Sequence, residues 1–283
     1  MWVDRRGRQA ETGIPAGAYV TARLSRLDDR VAFRTDYPIN IAIWDFARTT
    51  LVRPLGDQFA GRAGWPPDLV HKSFVLIRPG GNQNLHLMRA DGSGAVELLV
   101  DSEYSHKSHS WTSDGTRLVF SENEELHVMS MDGERVPEPL GIRGAGWEIS
   151  PRDWWIAYST DESGRNEIEV RPFPNVDDNR WLVSAEGGID PRWSPMGDEL
   201  FYRDLTGRLM SVPVETQTEF VHEAPQVAVD GAGLAPTFQS YDVARGGARF
   251  LIVKESVNDP LTQSKIVWVQ NWFEELQRLV PVP

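Results

Sequence analysis

The sequence predicts an all-β fold, a six-bladed β-propeller of four-stranded antiparallel blades closed by the N-terminal strand. Three observations carry this prediction. One unit recurs along the chain, clearest in GIDPRWSPMGDELFYRDLTGRLMSVPV (188–214) and SHSWTSDGTRLVFSENEELHVMSMDG (108–133). Its period is about forty residues with several short strands in each, and units of that kind bury both faces only by packing in a ring. The composition, with 11 Trp, 24 Gly and 19 Pro, suits short strands, tight turns and bulky packing between sheets.

Superposing the turn of Trp193 to Gly197 on the rest of the chain sets the register. Equivalent positions are Leu24, Trp65, Trp111, Ile149, Trp193 and Val243, at spacings of 38 to 50 residues, so six copies fill the length. The strand after each turn reads VAF (31–33), FVLI (74–77), LVF (118–120), WIAY (155–158), LFY (200–202) or FLIV (250–253), all β-branched or aromatic in character. A further strand follows as IAIWDF (41–46), NLHLMRA (84–90), ELHVMSM (125–131), EIEVRPF (167–173), RLMSVPV (208–214) or KIVWVQNW (265–272). Alternation is only partial, as expected where both sheet faces pack on neighbours.

The two ends predict closure. The last copy runs out at Trp272 before the polar tail 273–283, whereas MWVDRRG is a strand-like segment ahead of the first copy. Residues 1–8 are therefore expected to close blade six, with Trp2 to Arg5 pairing as its outer strand with Ile266 to Trp272, which removes two exposed edges. A single domain spanning 1–283 follows, and a monomer is expected.

Composition narrows the function. A formal charge of −12 opposes binding to phosphate backbones, so nucleic acid is not an expected partner. Cysteine is absent, which removes disulfides, thiolate nucleophiles and Cys-based zinc sites. The N-terminus lacks the apolar stretch of a secretory leader, and no apolar run has the length of a membrane span. No membrane insertion and a cytoplasmic location are expected, or an extracytoplasmic one if the chain belongs to a membrane-anchored parent.

WSPMGDELFYRD, TSDGTRLVF and STDESGRNEIEVRPFP (159–174) resemble the TolB-like, WD-repeat-like propeller repeats of bacteria. The stretch from Ser159 through Val214 is most similar to the sensor-type propeller found C-terminal to bacterial serine/threonine protein kinases. The resemblance extends to WVDRRGR at the start and VWVQNWFEEL at the end, and it implies a non-catalytic interaction or sensing module. The kinase's own Gly-rich phosphate loop and His-Arg-Asp loop do not occur here. Arg26 to Asp28, Pro66 to Asp68 and Ala244 to Gly246 depart from the Ser-Pro-Asp turn of that pattern.

Motifs with chemistry of their own are few. There is no Gly-x-Ser-x-Gly elbow, His-Glu-x-x-His, Walker loop or calcium loop, so no catalytic residue, metal or cofactor is assigned. His106 and His109 in SHKSHS have a ligand-like look, but a spacing of three on an extended strand sends side chains to opposite faces. Asp161 to Glu167 gathers carboxylates, a hydroxyl and a guanidinium, yet Ser-Gly-Arg-Asn reads first as a hairpin turn. The Asp-Gly pairs at 91–92, 114–115 and 132–133 are likewise turn residues.

Topology is the better guide. The first strand of each propeller blade lines the central channel, whose mouth is a natural binding site. The residues just before the six equivalent positions are Arg23, Gly64, Ser110, Glu148, Arg192 and Asp242. Arg23, Glu148, Arg192 and Asp242 are expected to line one pocket, with His106, His109 and Asp190 at its mouth. The expected function is a non-enzymatic module presenting this rim to a protein, peptide or small ligand, with the detached sensor domain of a receptor kinase as one form of it. The rival is a lyase or hydrolase with its site in the channel mouth. Propeller hydrolases of the prolyl oligopeptidase type carry their triad on a separate α/β domain, for which this chain has no room.

Overall fold

The computed structural model describes residues 1–254 apart from 37–38, 57–59, 69, 78–81, 232 and 235–238. Among them there is no helix, and hence none long and apolar enough to cross a membrane. The strands form six antiparallel blades. Blade 1 contains Tyr19–Leu24, Arg30–Thr35, Asn40–Asp45 and Thr50–Val52. Blade 2 contains Ala60–Gly64, His71–Ile77, Gln83–Arg89 and Glu97–Leu98. Blade 3 is built from His106–Trp111, Arg117–Glu122, Glu125–Ser130 and Pro137–Arg143. Blade 4 follows with Ala145–Ile149, Trp155–Thr160, Glu167–Pro172 and Trp181–Leu182. In blade 5, Ile189–Trp193, Glu199–Arg203 and Leu209–Glu215 are flanked by Gln226–Val229, and a short strand Val221–His222 pairs at the other end of Leu209–Glu215.

Blade 6 is assembled from both ends of the described chain. Tyr241–Val243 and Arg249–Ile252 supply its inner pair, Trp2–Asp4 the third strand and Gln9–Ala10 the outermost. Closure by the N-terminal strand is therefore present, but its partner differs from the one expected. Trp2 to Asp4 pair with Leu251 to Arg249 on one edge, and Trp2 and Val3 with Ala10 and Gln9 on the other. Both edges of the closing strand are thus filled, and none remains for Ile266 to Trp272. KIVWVQNW and the polar tail lie outside the described residues. Arg5 fastens the joint further: its guanidinium is paired with Glu199 of blade 5 and donates to Gly247 O at 2.7 Å.

Why both faces of each strand are apolar is clear from the packing. Each of the six junctions between neighbouring blades holds an apolar cluster, such as Trp155, Ile168 and Val170 of blade 4 against Trp193, Leu200 and Val212 of blade 5. Even the closing strand takes part, since Val3 is 1% exposed within the cluster that joins blades 5 and 6. A fully buried residue of this size contributes about 1.5–3 kcal/mol.

One turn sets the rim. After the inner strand, backbone N–H to C=O bonds close Ser25 to Asp28, Thr112 to Gly115, Ser150 to Asp153, Ser194 to Gly197 and Ala244 to Gly247. The last residue of each lies in the left-handed region, φ from 57° to 76°, which glycine adopts freely and aspartate tolerates. Departures from the repeat's Ser-Pro-Asp wording are therefore compatible with the same turn.

Candidate functional site

All six inner strands run toward the same rim, and the six equivalent positions fall at or just beyond their ends. Leu24, Trp65, Trp111, Ile149, Trp193 and Val243 together wall a cavity of about 590 Å³ that draws on every blade. Three tryptophans stitch its wall. Trp65 Nε1 donates to Arg23 O at 3.0 Å, and Trp193 Nε1 donates to Glu148 O at 3.1 Å, each reaching the preceding blade. Trp111 follows the same pattern with one relay, donating to Ser73 Oγ at 2.8 Å while that hydroxyl faces Gly64 O at 3.4 Å. Trp193 is 4% exposed and Trp111 partly buried, as their position in the repeat requires.

The floor of this cavity is an ion cluster. Arg23 of blade 1 reaches Glu148 of blade 4 at 2.7 Å and stands 3.5 Å from Asp242 of blade 6. Neighbour contacts run blade 1 to 2, 2 to 3 and onward around the ring, so blades 1 and 4 face each other across it. The guanidinium therefore spans the channel and turns the mouth into a cup. Burial opposes the Arg23 charge, but Asp242 and Glu148 outweigh it and hold its pKa above the ordinary value. Burial also raises the Asp242 carboxyl, against the pull of Arg23 and Arg192. Backbone donors complete the floor: Leu24 N–H to Asp242 Oδ2 at 2.7 Å and Trp193 N–H to Glu148 Oε2 at 2.9 Å.

The other four residues expected at this site do not line the cup. The inner strands of blades 1 to 5 each carry a β-bulge, which redirects side chains ahead of the rim. In blade 5 the bulge lies between Ile189 and Arg192, with Asp190 at φ 62°. Its carboxylate accepts Gln239 N–H at 2.7 Å and its carbonyl accepts Tyr241 Oη–H at 2.8 Å, so Asp190 is spent on the joint with blade 6. Arg192 is 1% exposed, donates to Pro191 O at 2.7 Å and lies 3.2 Å from Asp190. Among the described residues its Nε and the Asp190 Oδ1 meet no hydrogen-bond partner, so charge rather than aligned hydrogen bonds holds this pair.

His106 and His109 are buried as well. Their strand partners are Glu122 and Phe120, two apart, so the bulge absorbs one residue and brings both imidazoles to one face rather than to opposite ones. His106 begins a strand that reaches the cup only at Trp111, about 16 Å on at about 3.3 Å per residue. Its Nε2 lies 3.2 Å from Glu122, and burial pushes its pKa down. His109 packs against blade 2 so closely that a Cβ on Gly64 would stand 2.8 Å from its Nε2. Burial pushes it down to about 4, which makes it a neutral packing residue near pH 7. Among the described residues no three His, Cys, Asp or Glu side chains converge as metal ligands. The Asp161 to Glu167 segment is a hairpin turn, with Gly164 at φ 91° and Arg165 paired to Glu167 at 2.8 Å.

Several features of the cup escaped the sequence reading. Its rim carries Arg26 and Arg245 along with the exposed apolar tips Leu27 and Met196. Neighbouring turns are clasped by aspartates: Asp153 accepts Ser113 N–H at 2.8 Å and Oγ–H at 2.6 Å, and Asp28 accepts Arg245 N–H at 2.8 Å. These turn positions were visible as loop residues, and only the ring brings them together.

Solved structures of other proteins share this architecture. A protein assigned as TolB from Agrobacterium tumefaciens superposes with a TM-score of 0.69 over 88% of this chain and 94% of its own, at 15% identity. The chain has a TolB-like propeller fold. TolB from Acinetobacter baumannii matches with a TM-score of 0.55 over 84% of this chain and 65% of its own, at 13% identity. A chain of the nidogen/laminin complex matches with a TM-score of 0.56 over 76% of this chain and 87% of its own, at 12% identity. At such identities the TolB-like likeness is one of fold. No protein-family model and no curated protein matches the sequence.

Proposed function

We propose that this TolB-like propeller is a non-enzymatic binding module whose cup receives a protein or peptide, in the manner of the kinase-associated sensor propellers its repeats resemble. The observation that carries the reading is the cup itself: six blades contribute to one concavity of about 590 Å³. That size falls in the range of roughly 300–1,000 Å³ typical of ligand sites. Its floor is closed by satisfied ion pairs, which hold a fixed shape, while its rim offers tryptophan, proline and arginine, residue types suited to protein contact. The nidogen/laminin chain gives a precedent for this fold within a protein assembly.

A photo-crosslinking residue at position 196, on the rim, tests the reading against one at position 143, which lines a separate cavity at the other end of the inner strands. In lysate of the source cell, position 196 should give a discrete protein adduct that position 143 does not. Equal labelling from both, or none from 196, would remove the cup as the binding surface.

A further inference from the structure

The charges at the cup are unequally spent. Four carboxylates line it, and each already accepts donors fixed by the fold. Asp28 takes Arg245 N–H, Asp153 takes Ser113 N–H and Oγ–H, Asp242 takes Leu24 and Val243 N–H, and Glu148 takes Trp193 N–H with Arg23. Carboxylates held in this way have few acceptor sites left for a guest.

The cations divide differently. Arg23 is committed to the floor, but Arg26 and Arg245 stand exposed on the turns of blades 1 and 6 and line the same cavity. Arg26 donates to a carbonyl, Ser113 O at 3.3 Å, and among the described residues neither guanidinium has an ion pair in contact. Arg245 lies near enough to Asp28 to favour its charge, while the direct bond to that carboxylate comes from the Arg245 backbone. Bonds from neutral donors leave those carboxylates charged but occupied, so the charged groups at this mouth with free hydrogen-bonding capacity are the two guanidiniums. Apolar tips flank them. Leu27 is 50% exposed beside Arg26, and Met196 is 68% exposed on blade 5, next to blade 6.

We propose that the cup takes an acidic segment of a protein partner, whose carboxylates pair with Arg26 and Arg245 and whose apolar side chains cover Leu27 and Met196. This rests on the binding reading above and adds the chemistry of the partner. A guanidinium fork matches a carboxylate in two parallel hydrogen bonds, and exposed rim charges act mainly on orientation and encounter rate. A nucleic acid would offer the charge without the apolar complement, and its dense phosphates would meet the repulsion of the whole chain.

The test is fluorescence anisotropy on the full chain with two labelled peptides of equal length, one alternating Glu and Leu, the other Lys and Leu. The Glu/Leu peptide should bind saturably and weaken with added salt. The exposed double reversal Arg26→Glu/Arg245→Glu should lower its affinity by about tenfold or more with an unchanged melting temperature, and Arg143→Glu at the distant cavity should leave it unchanged. Preference for the Lys/Leu peptide, failure of the Glu/Leu peptide to bind, or indifference to the double reversal would overturn the proposal. A Lys/Leu peptide that blocks crosslinking from position 196 would reverse the partner's charge yet keep the cup as the binding surface. Adduct formation lost from position 196 altogether would instead fail the binding reading itself.

Discussion

Lys72 is a weakness of the fold open to experiment, because among the described lysines it is the one fully buried. It lies in the second strand of blade 2, opposite Met88, at 0% exposure, and its Nζ meets no hydrogen-bond partner among the described residues. By strand alternation its side chain shares a face with Phe74 and Leu76, both in the apolar cluster between blades 1 and 2. Burial alone lowers its pKa from 10.5 to about 7. At about 1.4 kcal/mol per tenfold change in proton affinity, that difference amounts to about 5 kcal/mol. Replacing the ammonium with a thioether of similar length, Lys72→Met, should recover about 3–5 kcal/mol near neutral pH, allowing for imperfect packing. The gain should follow pH in a defined way. Between about pH 7 and 10.5 the unfolded chain holds the lysine proton and the folded chain does not, so the stability of the parent rises with pH in that window. The advantage of Lys72→Met is thus largest below pH 7 and shrinks toward pH 10.5. Urea unfolding of both proteins at pH 6, 8 and 10, with equal m values, measures this directly. Parallel stability profiles, or a variant less stable at every pH, would show that the ammonium has a partner in the folded state.

Two further perturbations probe the ring. Deleting residues 1–10 should cost several kcal/mol, since it strips two strands from blade 6 and removes buried Val3, and an unchanged melting temperature by calorimetry would count against closure by these strands. Trp193→Ala should cost roughly 3–5 kcal/mol and Trp193→Phe substantially less, because phenylalanine keeps most of the packing and loses the bond to Glu148 O; equal losses in urea unfolding would refute that division.

What the sequence made legible is what repeats. Trp111 and Trp193 share a turn motif, so their common place at the inner-strand ends was readable, and so were the six blades. The closing role of MWVDRRG was readable too, because an unpaired strand at one end invites a partner at the other. Its partner was not, since FLIV (250–253) and KIVWVQNW have equal strand character and only the pairing of Val3 with Phe250 decides between them. Among the site residues, Arg23, Glu148 and Asp242 reach the cup as their register implies. Arg192 carries the same register, and the same preceding bulge, as Glu148, yet its guanidinium is held by Pro191 O and Asp190 instead of facing the cup, a contact that register does not encode. His106 and His109 miss the cup for another reason: they lie early on an inner strand whose far end, at Trp111, is the part that reaches it.

The Arg23–Glu148 bridge has a mechanical meaning beyond its charge. A propeller fastened only along its circumference resists opening at the seam but can still flatten toward an ellipse, with opposite blades drifting apart and the lumen changing shape. A strut across the diameter couples blade 1 directly to blade 4, so that flattening along that axis must stretch an ion pair at 2.7 Å. The cavity lined by Lys107 and Arg143, toward the other end of the inner strands, shares no lining residue with the cup that the strut underlies, so the two ends of the ring can change their contacts separately.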